Sequence, residues 1–484
     1  METKNCDIKR KRVHKLNLST ESFEMVDRLE AAIIKLQTSS SDVSLDEKAP
    51  ECIVDPFSNP AVPRRIDFQD IASAAFNIRD GILATPTAKS HQLSELLGLE
   101  LFFKMEVLQA TGSFKERGAR YALHRLSTKE AKNGVIAASA GNHALALAYH
   151  GQQMSIPVTV VMPNFAPLMK ISSCRSYGAE VILKGRNIQE ARVYAMELSK
   201  ARDLKYINGF DYPDVIAGQG TIGLEILEQV KNIDAVIVPV GGGGLIAGVA
   251  LAVKTLKPEI LVIGVESETC ASFSNALYDT KHEIFAESSL ADGLAVPTVG
   301  TNAVHIAKGI VDDIVTVCEE SIALAILRLL EMEKSVVEGG GAVGLAALLS
   351  GKLPQLKGKR VVNILTGGNI DSTVLGRTIE RGLAADGRLV KFDVVVSDRP
   401  GGIAELATRI AETGASIKDI FHERAWLAAN VFEVRVRIVV ETRDREHVEQ
   451  LHKVLSKKYS SVTAYYKTPD FLRALNGRSD SILN

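Results

Sequence analysis

The chain has 484 residues, with 57 Lys and Arg against 58 Asp and Glu and 46% apolar side chains. At about 150 residues per domain, this length allows about three domains, and the balanced charge argues against a globally basic nucleic-acid binder. Its 37 Gly and 15 Pro exclude collagen-like and largely disordered chains, and 5% aromatics do not favour base-stacking surfaces.

In chain order, residues 1–60 lack paired strand and helix patterns and predict a mostly disordered N-terminal extension. Within it, SFEMVDRLEAAIIKL reads as an isolated helix. The opening METKNCDIKRKRV is charged at once, unlike a secretory leader. Its basic run 9–12 reads as a solvated tail, with a targeting or binding signal as the alternative. Cys6, Cys52, Cys174, Cys270 and Cys318 are scattered and form no CxxC. That usage suits a reducing compartment and gives no metal or disulfide framework. The expected location is cytoplasmic, with a mitochondrial one left open.

Residues 61–375 carry an α/β pattern. Strand-like runs fall at 100–106, 134–139, 157–162, 179–184, 204–209, 235–240, 261–266, 314–319 and 360–366, with helical periodicity between many of them. Apolar strands separated by helices predict parallel sheets covered on both faces. Nine strands exceed one comfortable sheet, so the expected core has two lobes and a cleft. The large lobe takes about 61–133 and 211–375, and the small lobe about 134–210. The uncharged stretch 235–253, AVIVPVGGGGLIAGVALAV, meets a naive membrane-span length. Four glycines split it, however, into a β-branched strand and a buried helix. No membrane association and no nucleic-acid partner are expected.

Beyond Leu375 the composition shifts. Residues 376–389 read as a linker. Residues 390–466 follow as strand, helix, strand, strand, helix, strand, a βαββαβ order of ferredoxin-like size. Residues 467–484 form a tail.

Four segments carry candidate chemistry. TGSFKERGA follows the strand ELFFKME; Ser113 is placed to cap a helix with Glu116 as its partner. Lys115 then lies in the first turn, where partial positive charge lowers an amine pKa. A neutral amine is what Schiff-base chemistry requires, although a surface lysine beginning a helix fits as well. ASAGNHALA follows GVIAAS and opens a helix whose N–H groups suit an anion such as a carboxylate. It offers Ser139, Asn142 and His143, the last reading by type as a satisfied core histidine rather than a proton carrier. Gly241, Gly242, Gly243 and Gly244 lie between a strand and a helix. They let the backbone aim N–H groups at phosphate oxygens, or allow close packing. This loop is neither GxGxxG nor GxxxxGK[ST], so dinucleotide and P-loop readings lose support. LTGGN puts Thr366 at a strand's carboxyl end, the edge that ligands of open α/β sheets favour.

Together and in this order, SFKERGA, SAGNHA, VGGGGLIAG and LTGGN resemble fold-type II pyridoxal-phosphate enzymes, closest to the threonine and serine ammonia-lyases, or dehydratases. The resemblance covers about 61–375. The block at 390–466, through SDRPGGIAEL, is similar to an ACT-type regulatory domain. The implied architecture is a two-lobed α/β core of parallel sheets and helices with a C-terminal ferredoxin-like ACT module. The implied cofactor is pyridoxal 5'-phosphate, in Schiff-base linkage with Lys115. By the resemblance Gly241, Gly242, Gly243 and Gly244 hold its phosphate, Asn142 reaches its phenolic oxygen and Thr366 faces its pyridine nitrogen. Ser139, Asn142 and His143 border the substrate carboxylate. Lys115 is the one residue assigned to catalysis. L-Threonine would give 2-oxobutanoate and ammonia, and L-serine pyruvate and ammonia. A homo-oligomer, a dimer or tetramer, is also expected; the loop 399–402 resembles the ligand-facing loop of ACT domains, so the module either binds an amino-acid effector there or serves only dimerisation.

The departures from the pattern bear on the reaction. Serine racemases of this fold carry a second serine where this chain has Ala140, which cannot exchange a proton. Racemisation and other β-eliminations are therefore the alternatives rather than the preferred reading, and a non-catalytic amino-acid sensor is a further one. Glu266 falls at a glutamate of the racemase metal site, but Ser272 replaces its aspartate, so no metal residues are assigned. Glu338 resembles an acidic residue near the cofactor ring, and 291–296, ADGLAV, resembles a loop on the substrate side of the cleft.

Overall fold

Val, Ile and Leu dominate the strands because branched side chains pack well on pleated surfaces buried on both faces. The computed structural model describes residues 55–281, 284, 289–424 and 431–465. The expected leader over 1–54, its helical piece and its basic run lie outside the described residues, as does the tail 467–484. Residues 55–60, assigned above to a loose extension, are described, and Asp55 is buried.

The strands of the first two sheets are β1 Thr87–Lys89, β2 Glu100–Met105, β3 Val135–Ala138, β4 Val158–Met162, β5 Glu180–Leu183, β6 Lys205–Tyr206, β7 Ala235–Pro239, β8 Leu261–Ser267, β9 Asp313–Val317 and β10 Arg360–Leu365. The larger sheet runs β1-β2-β10-β7-β8-β9 and the smaller β5-β4-β3-β6. Every pairing is parallel except β1 with β2. The nine expected strands are present as β2 to β10. The short edge strand β1 has no apolar run and was not foreseen.

One face of the larger sheet is covered by the helices Phe68–Ile78, Pro213–Gln229 and Gly244–Leu256, and the other by Glu319–Met332 and Gly339–Leu349. The stretch 235–253 is therefore β7, a glycine loop and most of a helix. Among the described residues no helix is long and apolar enough to cross a membrane. The helix Lys115–His124 crosses Pro213–Gln229 at two glycines, where a Cβ on Gly218 would stand 2.6 Å from Gly118 Cα.

The third sheet is antiparallel. It comprises β11 Leu389–Ser397, β12 Ser416–Glu423, β13 Glu433–Glu441 and β14 Val462–Tyr465, in the order β12-β13-β11-β14. Val434, Val436, Ile438 and Val440 face its core with period two. The helices Gly402–Glu412 and Arg445–Lys458 complete the ferredoxin-like order.

The reading of 376–389 as a linker needs correction. Most of it lies in the helix Ser372–Ala385, whose N-cap Asp371 accepts from Thr373 N–H. This helix packs on Glu319–Met332: a Cβ on Gly382 would lie 2.9 Å from the Ala323 carbonyl oxygen. Its apolar stripe is thin (Thr378, Gly382 and Ala385 are the buried positions), which left the pattern looking polar. Arg328 to Asp386 at 2.5 Å and Arg388 to Glu331 at 2.8 Å tie its end to the core.

Beneath the loop that carries Lys115 lies a buried ionic cluster. Arg117 is wholly buried and meets both oxygens of Glu106, at 2.7 and 2.8 Å, and both of Glu225, at 2.6 and 2.9 Å. Lys104 adds bonds to Glu225 at 2.5 Å and to the Thr85 carbonyl at 2.6 Å. Burial alone would raise the Glu106 carboxyl, but Arg117 overrides it and leaves the value below normal. Removing one member strands the others without water. Arg117→Met is expected to cost about 3–5 kcal/mol, read from the denaturant midpoint of the full chain.

Candidate active site

The candidate residues gather at the carboxyl ends of the parallel strands, where loops turn into helices. Strand β2 leads into the loop before the helix Lys115–His124, and β3 into the loop before Asn142–Gln153. Likewise β7 leads into the glycines before Gly244–Leu256, and β10 into Thr366 and Asn369.

Lys115 Nζ donates to the Gly209 carbonyl at 2.6 Å. The residue keeps some exposure along its length, yet its amine is desolvated: burial lowers its pKa to about 8, against an opposing pull from Glu338. The direction agrees with expectation, but burial is the leading cause. The proposed Ser113 cap does not form. Phe114 occupies the N-cap position with no side-chain bond, and Ser113 Oγ is buried without a partner. Ser113 instead extends against Gly367 in an isolated bridge, and Glu116 turns back to accept from Thr111 N–H.

A polar bridge joins three of the four loops. Asn142 Nδ2 donates to Glu338 Oε1 at 2.7 Å. Asn369 Nδ2 donates to Asn142 Oδ1 at 2.9 Å and to the Thr111 carbonyl at 2.7 Å. The Thr366 carbonyl accepts from Phe114 N–H at 3.0 Å, and the Gly367 carbonyl from Glu338 N–H at 3.0 Å. Burial, then the nearby Asp292 charge, pushes Glu338 up to about 7.

His143 is buried, and its Nε2 lies 3.2 Å from the Ile207 carbonyl. A carbonyl only accepts, so Nε2 carries the proton. Burial, reinforced by Lys115, lowers its pKa to about 3 and keeps the ring neutral. Nδ1 is then a bare acceptor without a partner. In this tautomer His143 offers a carboxylate no donor; its ring packs on Gly209 and supports the peptide that holds Lys115. Ser139 Oγ accepts from Gly141 N–H at 3.3 Å and shapes its own loop.

The geometry of the glycine loop is compatible with both alternatives weighed from sequence. Gly243 has φ +92°, a left-handed turn, and no side chain caps the helix that follows. A Cβ on Gly242 would lie 2.3 Å from the Phe210 ring, and one on Gly244 2.1 Å from the Phe210 carbonyl oxygen. Close packing thus explains the glycines on one side. On the other, no protein acceptor takes the N–H of Gly241, Gly242, Gly243 or Gly244 among the described residues. Free N–H groups at a helix start suit a phosphate. Thr111 Oγ1, Ser113 Oγ and His143 Nδ1, on the loops that carry Lys115 and Asn142, are buried without partners. Buried polar atoms without protein partners are open to the polar groups of a bound ligand. These residues fit pyridoxal phosphate.

Sequence reasoning noticed Glu338 but left it out of the assigned set, and it missed Asn369 and the segment 207–211. Asn369 closes the quoted LTGGN, so its position was visible. The role of 207–211 rests on its Ile207 and Gly209 carbonyls, which carry no side-chain signature. Glu266 accepts from Phe273 N–H at 2.8 Å and Ser274 N–H at 2.9 Å, and Ser272 Oγ donates to the Val296 carbonyl. Among the described residues no group of three His, Cys, Asp or Glu side chains is placed to hold a metal ion.

The fold and site define a pyridoxal-phosphate-dependent enzyme. The family described as "Pyridoxal-phosphate dependent enzyme" matches residues 78–367, and the chain belongs to it. Among characterised relatives, it is 44% identical over 394 residues to the L-threonine ammonia-lyase of Thermotoga maritima, covering 81% of this chain and 98% of that one. It is 43% identical to the L-threonine ammonia-lyase of Geobacter sulfurreducens, covering 79% and 95%. Among solved structures, threonine deaminase isoform 2 of Solanum lycopersicum superposes with a TM-score of 0.61 at 37% identity, covering 66% of this chain and 95% of that one. The serine racemase of Dictyostelium discoideum superposes at 0.59 with 37% identity, covering 63% and 99%.

Two expectations follow. Below about 8, the rate at which the cofactor-free chain captures pyridoxal phosphate should rise about tenfold per pH unit, then level off, as followed by absorbance. Glu338 has a folded-state value raised from 4.5 to about 7, so its contribution to stability is lost as pH climbs through that window. Glu338→Gln keeps the acceptor for Asn142. It should stabilise the chain by about 1–3 kcal/mol at pH 8 and leave it unchanged at pH 4, measured by thermal unfolding.

Proposed function

We propose that this chain is an L-threonine ammonia-lyase that releases 2-oxobutanoate and ammonia, and that it also converts L-serine to pyruvate and ammonia. The observation that carries the reading is the desolvated Lys115 amine, held on the Gly209 carbonyl opposite Glu338. When bound, the cofactor supplies an electron sink for negative charge at the substrate Cα. Lys115 would be the residue that holds the cofactor and, as a free amine, the base placed to take the substrate's Cα proton. Its lowered pKa keeps the free base accessible near neutral pH.

Gly241, Gly242, Gly243 and Gly244 hold the phosphate through their N–H groups. Asn142, fixed between Glu338 and Asn369, orients the ring's phenolic oxygen. Thr366 offers a hydroxyl to the pyridine nitrogen, a weak partner that suits elimination. The start of the helix Asn142–Gln153, with Ser139 beside it, receives the substrate carboxylate. The β-hydroxyl departs as water, and hydrolysis of the released enamine consumes one water, so the net change is loss of ammonia. Ala140 leaves the opposite face of the cofactor without a second base, which favours elimination over racemisation.

The C-terminal module acts as a regulatory ACT-type unit in a homo-oligomer. Strand β12 lies at a sheet edge with Ile420 and Phe421 exposed, which supports pairing with another copy. The loop 399–402 is the proposed effector contact. A cytoplasmic location fits the scattered cysteines, of which Cys174, Cys270 and Cys318 are free thiols.

The holoenzyme should produce ammonia and keto acid in equal amounts from both amino acids. Lys115→Met should remove the protein-linked cofactor absorption band and lower turnover by about 10³-fold or more. Rapid formation of D-serine with little pyruvate would instead establish the racemase.

A further inference from the structure

The segment 207–211 is the point where the site's parts meet. The Ile207 carbonyl holds His143, the Gly209 carbonyl holds Lys115, and Phe210 packs under Gly242 and Gly244. None of these holds itself in place, and the segment 55–64, upstream of the family-matched region, grips both of its ends.

At one end, Asp55 is buried close to the Asn208 side chain, and its Oδ1 accepts from Phe57 N–H at 2.9 Å. Asn208 Oδ1 in turn accepts from the N–H groups of Phe210 and Asp211, both at 3.0 Å. At the other end, Ser58 Oγ donates to Asp211 Oδ2, while Asp211 Oδ1 accepts from Ala303 N–H at 2.9 Å. The buried Asn302 amide fastens the segment from behind. Its Nδ2 donates to the Phe57 and Asp211 carbonyls at 2.6 and 2.7 Å, and its Oδ1 accepts from Arg64 N–H at 2.7 Å. Between the two ends, the Phe57 ring lies 4.9 Å from the Tyr212 ring, with Lys205 Nζ 4.2 Å and Arg64 Cζ 4.3 Å from its centroid. A ring held by two cations and an aromatic neighbour is a built anchor.

We propose that 55–64 is a positioning strap for the reaction: by holding Asn208 and Asp211 it keeps the Gly209 carbonyl on the Lys115 amine and the Phe210 ring under the glycine loop. The inference rests on Lys115 being the cofactor-linked amine. Strap residues touch neither substrate nor cofactor and act through the peptide they hold. Burial raises the Asp211 carboxyl to about 6, and the Ser58 hydroxyl opposes that rise. Loss of Ser58 therefore leaves a buried carboxylate oxygen short of a donor, and the segment gains reason to move toward water. A shift of about 1 Å at Gly209 would rehydrate the amine and misplace it.

The test compares Ser58→Ala with Ser58→Thr in the full chain, with Asp55→Asn as a second variant read in the same way. Turnover of L-threonine gives kcat and KM in the holoenzyme. Independently, the pH midpoint for labelling of Lys115 by an amine-reactive reagent is followed by peptide mass spectrometry in the cofactor-free chain, where Glu338 and His143 face the amine. Ser58→Ala should lower kcat about threefold to tenfold with little change in KM, and move the labelling midpoint above about 8; Ser58→Thr should restore both. A Ser58→Ala chain that melts earlier yet keeps the parent kcat and labelling midpoint would overturn the strap and leave only a stabilising contact. If the parent turns over neither L-threonine nor L-serine, the assigned activity fails alone, and the labelling midpoint still decides the strap.

Discussion

The rest of the site depends on the withdrawal of one ammonium group from water. An ammonium carries three donors, and the Gly209 carbonyl at 2.6 Å takes one of them. That bond is available to the neutral amine as well, so it does little to favour charge. Glu338 would favour charge, but it is itself held toward its protonated form by burial and by Asp292. A buried base and a buried acid thus each shift toward neutrality, as desolvation requires. A larger share of the amine is thereby neutral near pH 8 without a dedicated deprotonating residue.

That balance requires several chain segments to hold their places at once. Parallel strands deliver the loops to one edge, but strands alone leave loops free to sway. The Asn369–Asn142–Glu338 bridge ties the start of a small-sheet helix to loops of the large sheet. The buried charges around Arg117 secure the helix that begins with Lys115. Glycine at 242 and 244 then lets Phe210 close the gap between the lysine's support and the helix start.

Much of this was legible in the sequence, for specific reasons. Nine strands announced themselves through apolar runs, and the four glycine-rich or polar turns marked where strands hand over to helices. Lys115, Asn142 and Thr366 lie at that edge. What escaped notice had weaker local signals. Thr87–Lys89 is a strand because Phe102 to Lys104 lie beside it, not because of its own residues. The Ser113 cap failed because tertiary pairing with Gly367 pulled its backbone into an extended path, defeating a sound local rule. His143 reads by type as a satisfied core histidine and only by resemblance as a substrate contact; its Ile207 carbonyl partner, which fixes the tautomer, is invisible in the sequence. The support from 207–211 comes through main-chain carbonyls, which every sequence possesses equally.

The helix Ser372–Ala385 has a consequence for how the molecule comes apart. A flexible tether would let the C-terminal sheet melt by itself, with the core left intact. Here the connection is itself a packed element, sharing buried surface with Glu319–Met332 and anchored by Arg328 and Arg388. Detaching the module means peeling that helix from its groove and exposing Thr378, Gly382 and Ala385. The two bodies are therefore joined as by a pin pressed into its seat, and their unfolding is expected to be coupled across the boundary.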